Sequence, residues 1–282
     1  MTVRIVTDSA SDLPESLSGP AGIELVPLHV RFGATELVDR EQLSVEDFWA
    51  RCASSSDLPE TSAPSPGAFR AAFERLLGAG AHGIVCVTLS AKLSATNQAA
   101  AQAARTLADE TGAAIEVMDS YSVTMGEGLV ALAAAEAAAA GLALDGVVTA
   151  AASARDRLHV CGVIDTLANL RRGGRIGGAA AAVGTLLSIK PVIEVRNGVV
   201  EQESRQRTRA KSLRYLADKV RAAGPLERLA VVSAQAPDFA EFVDLLSDVV
   251  PAKGRLVGDI GPVIGAHAGP GTIGAAWLTA AV

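Results

Sequence analysis

The sequence predicts an α/β protein with two domains, the first built on a parallel sheet with helices on both faces and the second on a mixed sheet of the α+β type. In the first half, three short apolar strands are each followed by a hydroxyl-rich loop and a helix, a pattern typical of parallel sheets. In the second half, strand-like runs around a tight turn indicate antiparallel pairing. We expect residues 1–152 and 153–282 to form the two domains, since this length suits two hydrophobic cores.

Strands and helices alternate in the first half of the chain. Each main strand is a short aliphatic run that ends in aspartate, serine or threonine, which are residues that favour the start of a helix. The proline-rich stretch Asp57–Gly67 cannot become helical before Pro66, so we expect a stiff loop there. We predict strands at Arg4–Thr7, Gly83–Thr88 and Ile115–Met118, an edge strand at Ile23–Phe32, a hairpin-like Gly33–Val38, and helices at Ser44–Cys52, from Ser94 or Thr96 to about Glu110, and from about Val123 to Ala140.

The second half contains the antiparallel signal. Asn197-Gly198 stands between two strand-like runs and is the dipeptide that a two-residue hairpin turn prefers. We predict strands at Leu158–Ile164, Pro191–Val195, Val199–Glu203 and Leu229–Ser233, and helices at Asp145–Arg157, Thr208–Ala222 and Pro237–Asp248.

The stretch Asp165–Pro191 places three arginines around a glycine turn. A short helix with a basic last turn, Asp165–Arg172, should stop at Gly173 and Gly174, because glycine ends helices. The next stretch, Ile176–Ile189, has only small and aliphatic residues, and as a helix it could lie close to another backbone or line a narrow apolar space. Ordinary packing in a core is the alternative.

Composition excludes several function classes. With 31 acidic against 25 basic residues and a net charge of −6, a broad nucleic-acid footprint is not expected. The three cysteines and four histidines are scattered, so neither a disulfide framework nor a metal site is indicated. A strand-like sequence follows Met1, and no apolar run reaches the roughly 20 residues that cross a bilayer. We therefore expect a cytoplasmic protein, not an integral membrane protein, without a metal or cofactor.

Hydroxyl side chains follow the predicted strands where a site should form. In parallel α/β sheets, ligands bind outside the carboxyl ends of the strands, and Ser90, Ser94 and Thr96 follow one of them here. Ser94 has an ordinary explanation as a helix cap, but the same helix start also stabilises anions. Thr61 in the stiff loop could add another hydroxyl or be only a turn residue.

His267 lies between glycines, where a backbone can approach closely, and is either a structural residue or a ligand contact. The adjacent Gly269–Gly274 has the spacing of a dinucleotide fingerprint, but too little chain follows for a second strand and a ribose-binding acid. We reject that motif and leave a nucleotide-binding regulator as an alternative for titration to test. A serine esterase using Ser94 and His267 is the second alternative.

The densest basic run in this acidic chain begins with Arg205, Arg207 and Arg209. Charge runs usually face water as part of a solvated helix start. A docking surface for an acidic or phosphate-bearing partner is the sharper interpretation.

A series of short phrases, in this order, resembles the DegV family of bacterial fatty-acid-binding proteins. The resemblance covers nearly the whole chain, and the phrases are specific only in combination. They are Thr7-Asp8-Ser9 with Asp12-Leu13-Pro14, Thr61-Ser62 with Pro64-Ser65-Pro66-Gly67, Thr88-Leu89-Ser90 with Leu93-Ser94 and Thr96, Asp119-Ser120, Gly173-Gly174-Arg175-Ile176, Ile189-Lys190-Pro191, and His267 with Gly269-Pro270-Gly271.

The resemblance implies one long-chain fatty acid, such as palmitate, held between two α/β domains. It implies that two hydroxyls hold the carboxylate, with a histidine and an arginine nearby. The implied fatty-acid-binding residues are Thr61, Ser94, His267, Arg175, Ser90 and Thr96. It also implies a carrier without its own catalysis, which presents the acid to a separate fatty-acid kinase. Arg205, Arg207 and Arg209 are then candidate kinase-docking residues.

Three positions depart from the usual family pattern. Ala63, Ala91 and Ala95 stand where the family usually has a glutamine, a second serine and a glycine. The polar end of the pocket should therefore be roomier or have fewer hydrogen-bond donors.

Overall fold

A parallel sheet forms the first half of the protein, as predicted. Its four strands, in spatial order, are Ile23–Val26, Val3–Asp8, Gly83–Thr88 and Ile115–Asp119, and every neighbouring pair is parallel. The computed structural model describes residues 2–54, 58–180 and 189–281. The strands of this half are β1 (Val3–Asp8), β2 (Ile23–Val26), β3 (His29–Phe32), β4 (Thr35–Val38), β5 (Glu60–Ser62), β6 (Gly83–Thr88) and β7 (Ile115–Asp119).

Helices cover both faces of the parallel sheet. On one face, Phe69 and Ala100 of two neighbouring helices pack against Ile84 in β6, and on the other face Leu129 packs near Val85. Alternate residues of a buried strand point to opposite faces, which is why β6 is apolar throughout. The helices are α1 (Glu15–Ser18), α2 (Val45–Ser54), α3 (Pro66–Gly78), α4 (Thr96–Thr111), α5 (Met125–Ala139) and α6 (Leu144–Asp156).

The predicted single strand at Ile23–Phe32 is wrong. Pro27 lacks a backbone N–H and lies between two elements, β2 at the edge of the parallel sheet and β3 in a separate antiparallel sheet of order β4-β3-β5. Strand β5 lies inside the predicted stiff loop, where Thr61 pairs with Val30. This pairing fixes the position of Thr61.

A six-stranded mixed sheet forms the second half and confirms the predicted fold class. Its six strands, in spatial order, are Val199–Gln206, Lys190–Arg196, Leu158–Val163, Ile273–Thr279, Leu226–Ser233 and Arg255–Asp259. Only the last two are parallel among these neighbouring pairs. The predicted hairpin is present, with Asn197 and Gly198 at positive φ between its strands. Here the strands are β8 (Leu158–Val163), β9 (Lys190–Arg196), β10 (Val199–Gln206), β11 (Leu226–Ser233), β12 (Arg255–Asp259) and β13 (Ile273–Thr279), and the helices are α7 (Ala168–Arg172), α8 (Arg209–Ala222), α9 (Phe239–Leu245) and α10 (Pro262–Ala268).

Helix α5 joins the two sheets through one hydrophobic core. Its residues from Met125 to Leu132 are all buried, because the helix packs against β1 on one side and against β11 and β13 on the other. Leu129, Ala230 and Ala276 belong to the same core. A helix buried on all sides is mainly apolar, and the one acidic residue in this buried stretch, Glu127, accepts a hydrogen bond from Thr7 Oγ1 at 2.8 Å. The predicted boundary between residues 152 and 153 lies within α6 and stays a prediction.

Several predicted elements differ in extent. Helix α5 begins at Met125 and not at Val123, since Thr124 has φ +50° and ψ −148°. The prediction missed β12, β13 and α10, each of which contains one glycine, at Gly258, Gly274 and Gly265. Of the predicted helix Ile176–Ile189, residues 177–180 form a short 3-10 turn, and residues 181–188 lie outside the described part of the chain. Among the described residues, no helix is long and apolar enough to cross a membrane.

Candidate ligand-binding site

An apolar cavity of about 190 Å³ lies beyond the carboxyl end of β6. The hairpin of β9 and β10 supplies Ile193 and Val200 to its wall, α10 supplies Val263 and Ile264, and the loop after β6 supplies Leu93. A second pocket of about 270 Å³ shares Thr61, Arg175 and His267 with the cavity. These three side chains therefore lie where the apolar cavity meets a more polar pocket.

Thr61 and His267 form a hydrogen-bonded pair at this junction. Thr61 Oγ1 lies 2.8 Å from His267 Nε2, although the two residues are 206 positions apart in the chain. Strand β5 holds Thr61 and the last turn of α10 holds His267. Burial, with a smaller contribution from the Arg175 charge, lowers the pKa of His267 to about 4. The imidazole is therefore neutral at physiological pH.

Ser94 lines the cavity just before helix α4, whose N-cap is Ala95 without a side-chain hydrogen bond, so the predicted cap at Ser94 is wrong. Its Oγ accepts the backbone N–H of Thr96 at 3.3 Å and shares a hydrogen bond of 2.9 Å with Thr96 Oγ1. The Ser94 hydroxyl therefore lies at the cavity wall beside the positive end of the helix dipole. Thr96 is fully buried and is not among the described cavity-lining residues, so it supports Ser94 from behind.

Arg175 links the glycine turn to the loop that carries Ser94. Its Nε donates to the carbonyl of Leu93 at 3.0 Å, and its Nη1 donates to the carbonyl of Gly173 at 2.7 Å. The guanidinium is half-buried and lines both pockets. The structure thus brings Thr61, Ser94, Arg175 and His267 to one cavity, and their predicted role as ligand contacts stays a prediction.

Ser90 has a different partner from the one predicted. Its side chain is fully buried and its Oγ donates to the carbonyl of Gly198 at 2.7 Å, away from the described cavity wall. A Cβ on Gly198 would lie 2.5 Å from this oxygen, so the approach requires glycine, as does φ +79°. Ser90 therefore fastens the tip of the hairpin whose strands line the cavity.

Asp12 positions the helix that carries His267. Its Oδ1 accepts the backbone N–H of Gly261, at the start of α10, at 3.0 Å, and its Oδ2 accepts Thr124 Oγ1 at 2.6 Å. Burial raises the pKa of Asp12 to about 7, against the opposing effect of Arg40. The long Arg40 contact of 3.5 Å explains why desolvation prevails.

The three predicted docking arginines differ in their surroundings. Arg209 forms a two-bond ion pair with Asp238, at 2.8 Å for each bond, and also contacts Asp165. Its charge is thus committed to holding the start of α8. Arg205 and Arg207 are exposed, and Arg205 Nε donates to Gln202.

The glycine run Gly269–Gly274 joins α10 to β13 and has no strand–turn–helix arrangement. A Cβ on Gly269 would lie 2.1 Å from the amide nitrogen of Asn169, and the N–H of Gly271 donates to the carbonyl of Ala234. The run therefore packs against protein backbone and side chains, which disfavours the nucleotide alternative.

The apolar wall of the site was predicted only as the small-sided stretch Ile176–Ile189, of which residues 181–188 lie outside the described part of the chain. The cavity wall combines residues from elements that are far apart in the sequence, and only Val263 and Ile264 have a local signal, at helical spacing from His267. No group of three or more candidate ligand side chains that could hold a metal ion occurs in the portion of the chain that the structure describes.

Comparisons with known proteins agree with this architecture. A family model described as "Uncharacterised protein, DegV family" matches residues 2–280. A DegV domain-containing protein of Streptomyces coelicolor is 39% identical over 276 residues, which are 96% of each chain. A structure described as fatty acid binding of a DegV family protein from Thermus thermophilus has 32% identity and a TM-score of 0.90, covering 99% of this chain and 100% of the other.

A further solved structure, described as a stearic acid-binding protein from Eubacterium ventriosum, has 25% identity and a TM-score of 0.89 over 98% of each chain. These matches extend over both sheets and over the segments that contain Thr61, Ser94, Arg175 and His267. The chain therefore belongs to the DegV family.

Proposed function

We propose that this protein binds one long-chain fatty acid, with its carboxylate at Thr61, Ser94 and His267 and its tail in the apolar cavity. The observation that carries this proposal is the position of neutral hydrogen-bond donors and one arginine at the end of an otherwise apolar cavity. The family relatives of known structure that are described as fatty-acid-binding support it.

The polar groups suit a carboxylate more than another head group. A buried carboxylate needs several hydrogen-bond donors. Two hydroxyls are available here, and the neutral imidazole supports one of them through its bond to Thr61 Oγ1 at 2.8 Å. The described lining residues of the cavity include Arg175 and no acidic side chain, so the local charge is opposite to that of a fatty acid. Hydrogen bonds to an ionised group are stronger than those between neutral groups.

The apolar wall accounts for the preference for a long tail. Ile193, Val200, Val263 and Ile264 offer no hydrogen-bond partner, so only hydrocarbon gains free energy there. Each methylene that leaves water contributes about 0.8 kcal/mol. We therefore expect affinity to rise with chain length and the acid to remain bound during purification.

The protein acts as a carrier and not as an esterase. A serine nucleophile needs a base within hydrogen-bonding distance. In this structure Ser94 Oγ bonds to Thr96, and His267 Nε2 bonds to Thr61. A histidine whose pKa is about 4 is also a weak base at neutral pH. We expect no hydrolysis of acyl esters by the wild type, and Ser94→Ala should change nothing in that assay.

The carboxylate would be presented to a separate fatty-acid kinase through the polar pocket. Thr61, Arg175 and His267 line both this pocket and the cavity, which gives the head group a path toward a partner. Arg205 and Arg207 are exposed and suit a partner that carries nucleotide phosphates. Arg209 is less suited, because Asp238 already pairs with it.

Mass spectrometry of lipid extracted from the purified protein tests the proposal. Protein produced in a bacterial host should carry about one fatty acid per chain, as expected for tail burial of this kind. Delipidated protein should then take up added palmitate. The absence of an acyl chain, together with no binding of added palmitate, would overturn the proposed function.

A further inference from the structure

The imidazole of His267 lies directly against the backbone of Gly173. Gly173 follows α7 with φ −72° and ψ −4°, a conformation open to any residue. A Cβ added there would lie 2.3 Å from His267 Nδ1 and 2.9 Å from its Cε1, distances that real Cβ atoms do not adopt. The contact with the ring, and not the backbone angles, therefore requires glycine at this position.

This contact also determines which ring nitrogen carries the proton. Nδ1 of His267 is buried and has no hydrogen-bond partner within the described residues. The turn's carbonyls already have donors, since Gly173 O accepts Arg175 Nη1 at 2.7 Å and Asn169 O accepts the N–H of Gly173 at 2.9 Å. A proton on Nδ1 would be a buried donor without an acceptor, and such orphaned donors are rare. The neutral ring should therefore carry its proton on Nε2.

The Nε2–H tautomer directs a chain of donors into the cavity. Nε2–H donates to Thr61 Oγ1 at 2.8 Å, and the Thr61 hydroxyl then keeps its own proton for another acceptor. With the other tautomer, the hydroxyl of Thr61 would donate back to Nε2 and show only lone pairs to a carboxylate. Hydrogen bonds in series strengthen one another, so a chain in which His267 donates to Thr61 makes the Thr61 hydroxyl a stronger donor to an anion.

We propose, on the basis of the fatty-acid-binding function above, that Gly173 is a positioning residue that holds His267 as an Nε2–H donor toward Thr61 and the bound carboxylate. Gly173 is not among the described residues that line the apolar cavity. Because Gly173 has no side chain, the imidazole can occupy a buried position in which only Nε2 has a polar partner.

Gly173→Ala in the full-length protein tests this role against two matched glycine variants. Gly174→Ala changes the neighbouring residue of the same turn, where φ is +70° and an added Cβ meets nothing within 4 Å. It therefore reports backbone strain without the contact to His267. Gly78→Ala, at the end of α3, also meets nothing within 4 Å and reports the substitution alone.

Imidazole ¹⁵N NMR gives a readout that does not depend on a ligand. The wild type and both control variants should show His267 as the neutral Nε2–H tautomer, with its resonance assigned by loss in His267→Ala. In Gly173→Ala the ring should leave its seat, so the tautomer signature should change and the pKa of His267 should rise from about 4 toward its ordinary value. Palmitate affinity should fall about 10- to 100-fold, as expected when a carboxylate loses a directed donor.

The double variant of Gly173→Ala and His267→Ala keeps the test decisive if Gly173→Ala folds poorly. Removal of the ring makes room for the new methyl group, so the double variant should fold and bind palmitate as His267→Ala does. The proposal is overturned if Gly173→Ala retains the wild-type tautomer and affinity, or if the double variant is as unstable as Gly173→Ala. It is also overturned if the losses of palmitate affinity in Gly173→Ala and His267→Ala add in the double variant. A wild type that binds no palmitate would refute the proposed function, while the NMR comparison would still decide the role of Gly173.

Discussion

Replacement of Thr61 by valine tests the proposed carboxylate site directly, because valine keeps the shape of threonine and removes only the hydroxyl. The variant loses the hydrogen bond of 2.8 Å to His267 and the proposed bond to the carboxylate. A hydrogen bond to an ionised group contributes about 1.5–3 kcal/mol. Since about 1.4 kcal/mol is a factor of ten, we expect the Kd for palmitate to rise roughly 10- to 150-fold.

The chain-length dependence of binding shows whether the loss lies at the head group. Thr61→Val should raise Kd by the same factor for a series of saturated acids, because the apolar wall at Val200 and Val263 is untouched. The gain of about 0.8 kcal/mol for each buried methylene should be retained. Titration calorimetry on delipidated protein measures both quantities.

A valine variant at an exposed threonine provides the matched control. Thr35 lies in β4 of the same three-stranded sheet and is exposed, so Thr35→Val should leave Kd unchanged. If Thr61→Val binds palmitate within twofold of the wild type, or if Thr35→Val weakens binding equally, the placement of the carboxylate at Thr61 is refuted.

Two other predictions concern the partner and the pH dependence of stability. Reversal of Arg205 and Arg207 to glutamate should leave the fatty-acid content unchanged but raise the protein concentration needed for half-maximal phosphorylation by the cognate kinase. The effect should shrink at high salt, because salt screens charge attraction. Loss of the bound acid would contradict this division of roles. For Asp12, the pKa is raised from 3.8 to about 7 in the folded protein, so its stabilisation is present below about pH 4 and is lost as pH rises through about 7. Asp12→Asn cannot titrate, so its free energy of unfolding relative to the wild type should increase between about pH 4 and pH 7 and stay constant above, as measured by urea denaturation; a difference independent of pH would show that Asp12 titrates normally.

The elements with a strong local signal could be predicted from the sequence. Strand β6 is a continuous apolar run between turn residues, and the Asn197-Gly198 hairpin follows from the positive φ that these two residues tolerate. No strand or helix was predicted between Arg255 and Thr279, since glycine weakens both helix and strand propensity. There α10 is stabilised by tertiary contacts such as Asp12 to Gly261. Local propensity contains no information about such contacts.

In the candidate site too, only the features with a local signal could be predicted. The residue types suited to a carboxylate could be identified from the sequence and its family resemblance, but their partners could not. Ser90 and Ser94 follow the same strand and have the same chemistry, yet only Ser94 lines the cavity, because Ser90 donates to the hairpin tip at Gly198. That difference depends on how the second half of the chain packs onto the first.

The glycine turn and His267 lie against each other. The turn contributes Gly173, whose bare Cα admits the imidazole, and Arg175, whose charge and proximity help to keep the imidazole neutral. A cationic histidine would attract a carboxylate more strongly, but it would also have to be desolvated in a cavity that already contains a guanidinium. A neutral donor beside one permanent cation matches a single negative head group. Under the proposed function, an acyl phosphate would carry more negative charge than this arrangement matches, so the fatty acid is the expected resident ligand.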